Sequence, residues 1–424
     1  MPKGSSMTID ETWRGLVRWA GAALAAAAFV AAGPVSAAPA HHKVLVVSVD
    51  GLDWRYLRDR DQLHLAIPNL RRLMGEGWTA DGVIGVWPTV TWPSHTSILT
   101  GLRPDQHGVL GNQRPKEEGG DYYWTPSFIH GEPLWACAAD AGLTTASVTW
   151  PVTKDAKITW DLPEYFRRRN GGSMDLATAA SDATPGLVEG ISAMFPSFPQ
   201  QWIDDRTRTQ AVLYLLKTKR PDLILLHLVD LDSEAHDQGP FEVNANAVME
   251  RTDALIGELA RALPADYDLV VTSDHGFERL DHIANLGVLM AEAGVKGDLQ
   301  PMGGVVVARD QAAAGFLRGL AAKGQDGLGR EIPPAELARY APKLAGAIAA
   351  FEPAPHYMFG RAETGPYLTA PRERGEHGFW PLRSDYRSIY IASGPGVPPG
   401  LGPTIEMVSL KARLAGLMGL HCRD

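Results

Sequence analysis

The sequence predicts an α/β protein with a mainly parallel central sheet and helices on both faces, and three observations carry that expectation. Short apolar, β-branched runs recur along the chain and stop at turn residues, as buried parallel strands do. Segments with apolar residues at helical spacing lie between them. Acidic residues follow directly on several of the runs, at the edge where open α/β sheets bind ligands.

The first run, Lys43–Val49, ends in Asp50-Gly51. Thr144–Thr149, Leu223–Val229 and Tyr267–Thr272 are of the same kind, and Ser388–Ala392, before Ser393-Gly394-Pro395, is a fifth. Helices are predicted over Ala245–Ala262, ahead of Pro264, and over Ala312–Ala322. Segments 158–205 and 323–375 show no clear period and read as lid insertions over the sheet edge.

Bulk properties set the frame. The 424 residues are 45% hydrophobic and 21% charged, an ordinary globular composition. A net charge of −9 argues against a groove for a nucleic-acid polymer, so a phosphate substrate should be small and met by metal ions. Lys3, Arg14 and Arg18 precede an alanine-rich run, Trp19–Gly33, with small-x-small sites at Val35-Ser36-Ala37 and Ala38-Pro39-Ala40. This is the layout of a signal peptide over residues 1–40, which makes 41–424 the catalytic domain. The run is shorter than the roughly 20 apolar residues of a membrane span. Export to the periplasm or medium, with no stable span after processing, is the expectation. Cys137 and Cys422 permit one disulfide there, and the lack of CxxC rules out a thiolate-rich zinc site.

Three segments carry candidate metal ligands. Asp232-Ser233-Glu234-Ala235-His236 spaces a carboxylate and an imidazole four apart after the third strand. Ser273-Asp274-His275-Gly276-Phe277 sets them side by side after the fourth, and Gly375-Glu376-His377-Gly378-Phe379 adds a histidine between glycines. One Asp after a strand is most simply a cap or turn former. Three delivered to one edge repel each other unless a cation lies between them. With Asp50 the set comprises three Asp and three His, which suits two metals with open positions for substrate. Asp230 competes with Asp232, while His64, His107, His130 and His282 receive no role.

Pro88–Gly101 reads as a turn feeding a helix, with Pro93 in its first turn and Thr91 at its N-terminus. Helix N-termini favour anions, and a metal-bound threonine hydroxyl becomes a strong nucleophile. Thr-x-Pro alone is equally compatible with a plain Thr N-cap.

The run Pro88-Thr89-x-Thr91-Trp92-Pro93-Ser94-His95, then Leu99-Thr100-Gly101-Leu102-Arg103-Pro104-Asp105, then His107-Gly108 and Gly111-Asn112, resembles the nucleophile segment of the type I phosphodiesterases. These are the nucleotide pyrophosphatase/phosphodiesterases of the alkaline phosphatase superfamily. Asp50-Gly51, Asp232 to His236 with Gln238-Gly239-Pro240, Asp274-His275-Gly276 and Glu376-His377-Gly378 match further family motifs in order. The similarity spans roughly residues 43–400. It implies an alkaline-phosphatase-like fold and a two-zinc phosphodiesterase or pyrophosphatase. Thr91 falls on the nucleophile, and Asn112 on the asparagine that binds a non-bridging phosphate oxygen. One Zn2+ would be held by Asp232, His236 and His377, the other by Asp50, Asp274, His275 and the Thr91 oxygen. The sequence departs from the family at Ser94 and Trp92, and at His227, where nucleotide enzymes often carry an aromatic residue. Trp92 and His227 are thus candidate substrate contacts, with packing under the helix the alternative for Trp92. Lys154 and Lys157 keep a phosphomonoesterase reading open. A binding protein without catalysis is disfavoured because no matched ligand is missing.

Overall fold

The computed structural model describes residues 42–165, 180–198 and 203–423. The signal-peptide expectation for residues 1–40 lies outside them.

Lys43–Val49 forms the predicted first strand and becomes the centre of an eight-stranded sheet. It pairs in parallel with Leu223–Leu228 on one side and Tyr267–Thr272 on the other. Thr145–Val148 and Trp160–Leu162 continue the sheet in parallel beyond Leu223–Leu228. On the far side Tyr390–Ser393 runs antiparallel to Tyr267–Thr272 and to Trp78–Ala80, with Gly400–Gly402 at the edge. The sheet is therefore mainly parallel, as expected from the sequence. The reversed strand is the fifth predicted run, shifted to begin at Tyr390 rather than Ser388.

Side chains alternate across the sheet because the strand period is two. Leu45, Val47, Val49, Leu226 and Val271 face one apolar core, shared with the helices Pro68–Glu76, Asp205–Thr218 and Val243–Ala262. Val44, Val46, Leu225 and Val270 face the other, which takes in Ile98 and Leu99 of the helix Thr91–Thr100. Both faces are covered, which is why the strands read as continuous apolar runs rather than alternating ones.

The two stretches expected to be irregular are ordered where described. Trp160–Leu162 is an edge strand of the main sheet, and the helix Leu187–Met194 buries Leu187, Val188 and Ile191 in the first core. Residues 323–375 contribute Leu328–Glu331 and Ala349–Pro353 to a second, four-stranded sheet with Leu299–Pro301 and Val306–Ala308. That sheet packs on the helix Gln311–Ala322 around Ala308, Leu317 and Phe351. Its strands are short and antiparallel, with a register shift between Leu328 and Glu331, so they leave little periodic signal.

Cys137 and Cys422 form a disulfide that joins the helix Leu134–Asp140 to the end of the chain. Replacing Cys137 with Ser should lower unfolding stability by about 2–5 kcal/mol, measured by urea denaturation of oxidised protein. An unchanged midpoint would show that the cross-link contributes nothing.

His107 is buried at the end of the short helix Pro104–His107, which follows the helix Thr91–Thr100. Its Nδ1 accepts from the Val109 N–H at 3.1 Å, and its Nε2 lies 3.0 Å from Ser97 Oγ. Burial pushes its pKa from 6.5 down to about 3. Between about pH 6.5 and 3 the unfolded chain binds a proton that the folded protein refuses, so this group lowers stability as pH falls, by up to ~1.4 kcal/mol per pH unit. In His107→Asn that slope is lost. The stability gap between wild type and variant, read from urea midpoints at pH 7.5 and pH 5.0, should narrow at the lower pH. A gap equal at both would contradict the assignment.

Candidate functional site

Asp50, Asp232 and Asp274 meet because their strands are neighbours. Asp50 follows the central strand, Asp274 lies just past Tyr267–Thr272, and Asp232 lies in the first turn of the helix Asp230–Gln238 after Leu223–Leu228. The turn after the central strand is locked to its neighbour. Gly51 N–H donates to Asp274 Oδ1 at 3.1 Å, Ser273 Oγ donates to Leu52 O at 2.7 Å, and Phe277 N–H donates to Asp53 Oδ2 at 3.1 Å. Gly51 is needed there: it has φ +67°, and a Cβ would lie 2.8 Å from the Phe277 ring.

Two clusters result, each with its ligand atoms within 4.8 Å of one another: Asp50, Asp274 and His275; and Asp232, His236 and His377. In the first, His275 Nε2 lies 3.2 Å from Asp50 Oδ1 and 3.2 Å from Asp274 Oδ2. In the second, Asp232 lies 3.6 Å from His236 Nε2 and 3.9 Å from His377 Nε2. The clusters adjoin through the His275 and His377 rings, stacked with centroids 3.9 Å apart. Asp230, the competing carboxylate, instead pairs with Arg251 at 2.8 Å.

The outer ring nitrogens fix the inner ones. The Nδ1 atoms of His236, His377 and His275 face the carbonyl oxygens of Gly375 (3.1 Å), Thr89 (3.3 Å) and Gly276 (3.2 Å). A carbonyl only accepts, so each Nδ1 carries the proton and each Nε2 turns a lone pair inward. Asp50 Oδ1, Asp232 Oδ1, Asp274 Oδ2 and His275 Nε2 are buried with no hydrogen-bond partner. Burial, then repulsion from Asp232, pushes the Asp50 carboxyl well above its usual range, and burial with Asp50 nearby does the same to Asp274. Burial, then His236, brings His377 down to about 3. Burial, then His377, holds His275 well below 6.5. Burial lowers the His236 pKa, but the Asp232, Glu376 and Glu373 carboxylates around it outweigh that and raise it above 6.5. Orphaned carboxylate oxygens beside the neutral imidazoles of His275 and His377 fit a cation in each cluster.

Thr91 is the first residue of the helix Thr91–Thr100, with Val90 rather than Thr91 at the N-cap. Its neighbours leave few backbone donors for an anion, because the Trp92 N–H donates to Asn112 Oδ1 at 3.0 Å and Pro93 has none. That bond turns the Asn112 NH2 group outward as the available donor. His95 anchors the helix start, with Nδ1 2.8 Å from Thr91 O and Nε2 2.9 Å from Ser48 Oγ.

Thr91 and Asn112 line a cavity of about 320 Å³ together with Asp50, Asp232, His236 and His377. Trp92 forms part of the wall and packs on Tyr122, with ring centroids 4.8 Å apart. A second, largely apolar cavity of about 360 Å³, lined by residues such as Trp87, Val90, Met302 and Leu344, shares His377 with the first.

His227 does not line the Thr91 cavity. It is 1% exposed, its Nε2 lies 3.0 Å from Asp50 Oδ2, and its Nδ1 lies 2.7 Å from Glu164 Oε2. It occupies an inward position of the strand, so its ring reaches Asp50 from behind. Lys154 lies 3.2 Å from Asp155 and 3.3 Å from Asp182, and Lys157 is exposed; neither lines the cavity. Among the described residues a cationic side chain that does is Arg208, which the sequence reading missed, as it missed Glu164 and Tyr122. Nothing in local spacing marks Arg208, which sits in an ordinary helix before a strand.

The chain matches the family model described as type I phosphodiesterase / nucleotide pyrophosphatase over residues 44–379. It is 29% identical over 247 residues to human (Homo sapiens) ectonucleotide pyrophosphatase/phosphodiesterase family member 1, covering 55% of this chain and 23% of that protein. It is 26% identical over 259 residues to venom phosphodiesterase 2 of Crotalus adamanteus, covering 57% of this chain and 28% of that protein. The chain thus spans about a quarter of the length of these curated relatives. Among solved structures it shares the fold of murine ectonucleotide pyrophosphatase/phosphodiesterase 5, at 21% identity and TM-score 0.59, over 90% of this chain and 96% of that one. An inactive form of the same murine protein in complex with AMP aligns with TM-score 0.60. The fold is therefore that of the alkaline phosphatase superfamily, and the chain belongs to the type I phosphodiesterase / nucleotide pyrophosphatase family.

Proposed function

We propose that this protein is an exported phosphodiesterase or pyrophosphatase that cleaves small phosphate diesters through a phosphothreonine at Thr91. The observation that carries this reading is the shared cavity: Thr91 and Asn112 line the same space as Asp232, His236 and His377 of one Asp/His cluster and Asp50 of the other. Zn2+ is the metal of choice for such His and carboxylate sets. One ion would be held by Asp232, His236 and His377, the other by Asp50, Asp274 and His275 with the Thr91 hydroxyl. A divalent cation in each cluster supplies Lewis acidity, lowering the pKa of a hydroxyl set against it and offsetting negative charge on the phosphoryl oxygens.

The chain's own residues do the rest. Thr91 Oγ, its proton given up to solvent, attacks phosphorus in line; a P–O bond to Thr91 forms, the bond to the leaving oxygen breaks, and that oxygen takes up a proton from solvent as it departs. Asn112 donates its amide to a non-bridging oxygen, held for that by the Trp92 N–H. Water then displaces Thr91 from phosphorus and restores the hydroxyl. A diester has a substituent on each side of phosphorus, and two cavities meeting at His377 offer room for both. A murine relative solved in complex with AMP supports a nucleotide-type group in the polar one. Export and an oxidising compartment are supported by the signal-like pattern over 1–40 and by the Cys137–Cys422 disulfide.

Purified protein should contain two zinc ions per chain by elemental analysis and should hydrolyse bis-p-nitrophenyl phosphate. Thr91→Ala should lower that rate by about a thousandfold or more with metal content retained. Full activity in Thr91→Ala would end the phosphothreonine reading. Hydrolysis of p-nitrophenyl phosphate much faster than the diester, still dependent on Thr91, would make the enzyme a phosphomonoesterase.

His227→Phe gives a separate test of the ring behind Asp50. It should weaken metal affinity by about ten- to a hundredfold, measured by competition with a chelating dye, while KM changes little. A raised KM with unchanged metal affinity would return His227 to the substrate cleft.

A further inference from the structure

Arg208 is a cation buried in the wall of the cavity that holds Thr91. It lies in the first turns of the helix Asp205–Thr218, its side chain is 7% exposed, and it lines the space with Asn112 and Asp50. Among the described residues its ion pair is with Asp205, from Nη1 to Oδ1 at 3.2 Å. Asp205 is already occupied: Oδ1 accepts from the Val229 N–H at 2.7 Å and Oδ2 from the Asp230 N–H at 3.1 Å. Asp205 therefore ties the guanidinium to the end of the strand Leu223–Leu228 without saturating it. The Arg208 Nε is buried and has no hydrogen-bond partner among the described residues.

A guanidinium presents five N–H donors in a planar fork, carries its charge at every working pH and matches two oxygens of one phosphoryl group. Buried donors are almost always satisfied, so a buried guanidinium in the wall of a cavity, with one N–H left unpaired, favours an anionic ligand in that cavity. Arg208 is also close enough to Asp50 for its charge to favour the ionised carboxylate.

We propose that Arg208 is a specificity residue that binds an anionic phosphoryl oxygen beyond those an uncharged-armed diester presents. This rests on the reading of the cavity as the phosphoryl-transfer site. The oxygen has two sources: the third oxygen of a monoester at the reacting phosphorus, or the adjoining phosphate of a pyrophosphate-linked substrate. Neutral aryl or alkyl arms offer Arg208 nothing to bind.

The test compares wild type, Arg208→Gln and Arg208→Lys as metal-loaded enzymes. Inorganic phosphate binding is followed by calorimetry. The kcat/KM values are measured for p-nitrophenyl phosphate, bis-p-nitrophenyl phosphate and bis-p-nitrophenyl pyrophosphate. Arg208→Gln should bind phosphate about ten- to a hundredfold more weakly, with partial recovery in Arg208→Lys. A loss of kcat/KM at least tenfold larger for the monoester than for the diester assigns the oxygen to the reacting phosphorus. The same excess for the pyrophosphate assigns it to the adjoining phosphate. Equal losses on all three substrates, or unchanged phosphate affinity in Arg208→Gln, would overturn the proposal. If wild type cleaves none of them, the catalytic reading fails, and the calorimetry still decides whether Arg208 binds phosphate. Should Arg208→Gln not fold, Arg208→Lys carries the test: it keeps the charge but lacks the fork, and phosphate affinity equal to wild type would overturn the proposal.

Discussion

Asp50, Asp232 and Asp274 are carboxylates held together in a space from which water is largely excluded, and the mutual cost of that arrangement organises the rest of the site. Burial penalises each charge, and Asp50 is further destabilised by Asp232 and Glu164. Removing an ion from water costs several kcal/mol even after relaxation. A chain that only needed to fold would have no use for such a cluster. The scaffold instead spends backbone hydrogen bonds on holding it: Gly51 and His275 both donate to Asp274 Oδ1. The charge is aimed at a cation and not relieved by protein partners, since the opposing Asp50 and Asp274 oxygens keep no partner at all.

The same constraint explains the histidines. A protonated imidazole would neutralise the cluster from within and leave nothing for a metal. Burial prevents this at His275 and His377, and their Nδ1 bonds to backbone carbonyls fix the remaining lone pair. The carbonyl that holds His377 belongs to Thr89, two residues before Thr91, and the Gly378 N–H donates to the same oxygen at 3.0 Å. The Thr89–Thr91 turn and the His377 loop are thus one mechanical unit, although 286 positions separate Thr91 from His377 along the chain.

Much of this was legible in the sequence because parallel strands buried on both faces leave continuous apolar runs. Lys43–Val49 and Tyr267–Thr272 were bounded correctly, and the acidic residues after them marked the functional edge. Adjacency was not legible: nothing local says that the strand ending at Asp50 lies between those ending near Asp232 and Asp274. The second sheet was missed because its short antiparallel strands carry no period. The surroundings of His227 were not legible either, because a motif position says which residue stands there, and not which way the strand turns it. Its side chain lies on the inner face, where a histidine can reach Asp50 and Glu164 at once.

Arg208 and His227 together suggest how one metal-site scaffold is retuned. A histidine behind Asp50 draws in Glu164, adding negative charge to an already acidic cavity. An arginine in the wall of the same cavity returns positive charge, and its anchor Asp205 is bonded to the strand end, Val229-Asp230, that leads into Asp232. The helix Asp205–Thr218 therefore couples ligand position to anion recognition through a single carboxylate. Burial pushes that carboxyl up to about 6 despite two backbone donors and Arg208, so its ionised form depends on those partners staying in place. Substrate preference in such a site can change through one helix while the strands that carry the metal ligands stay as they are.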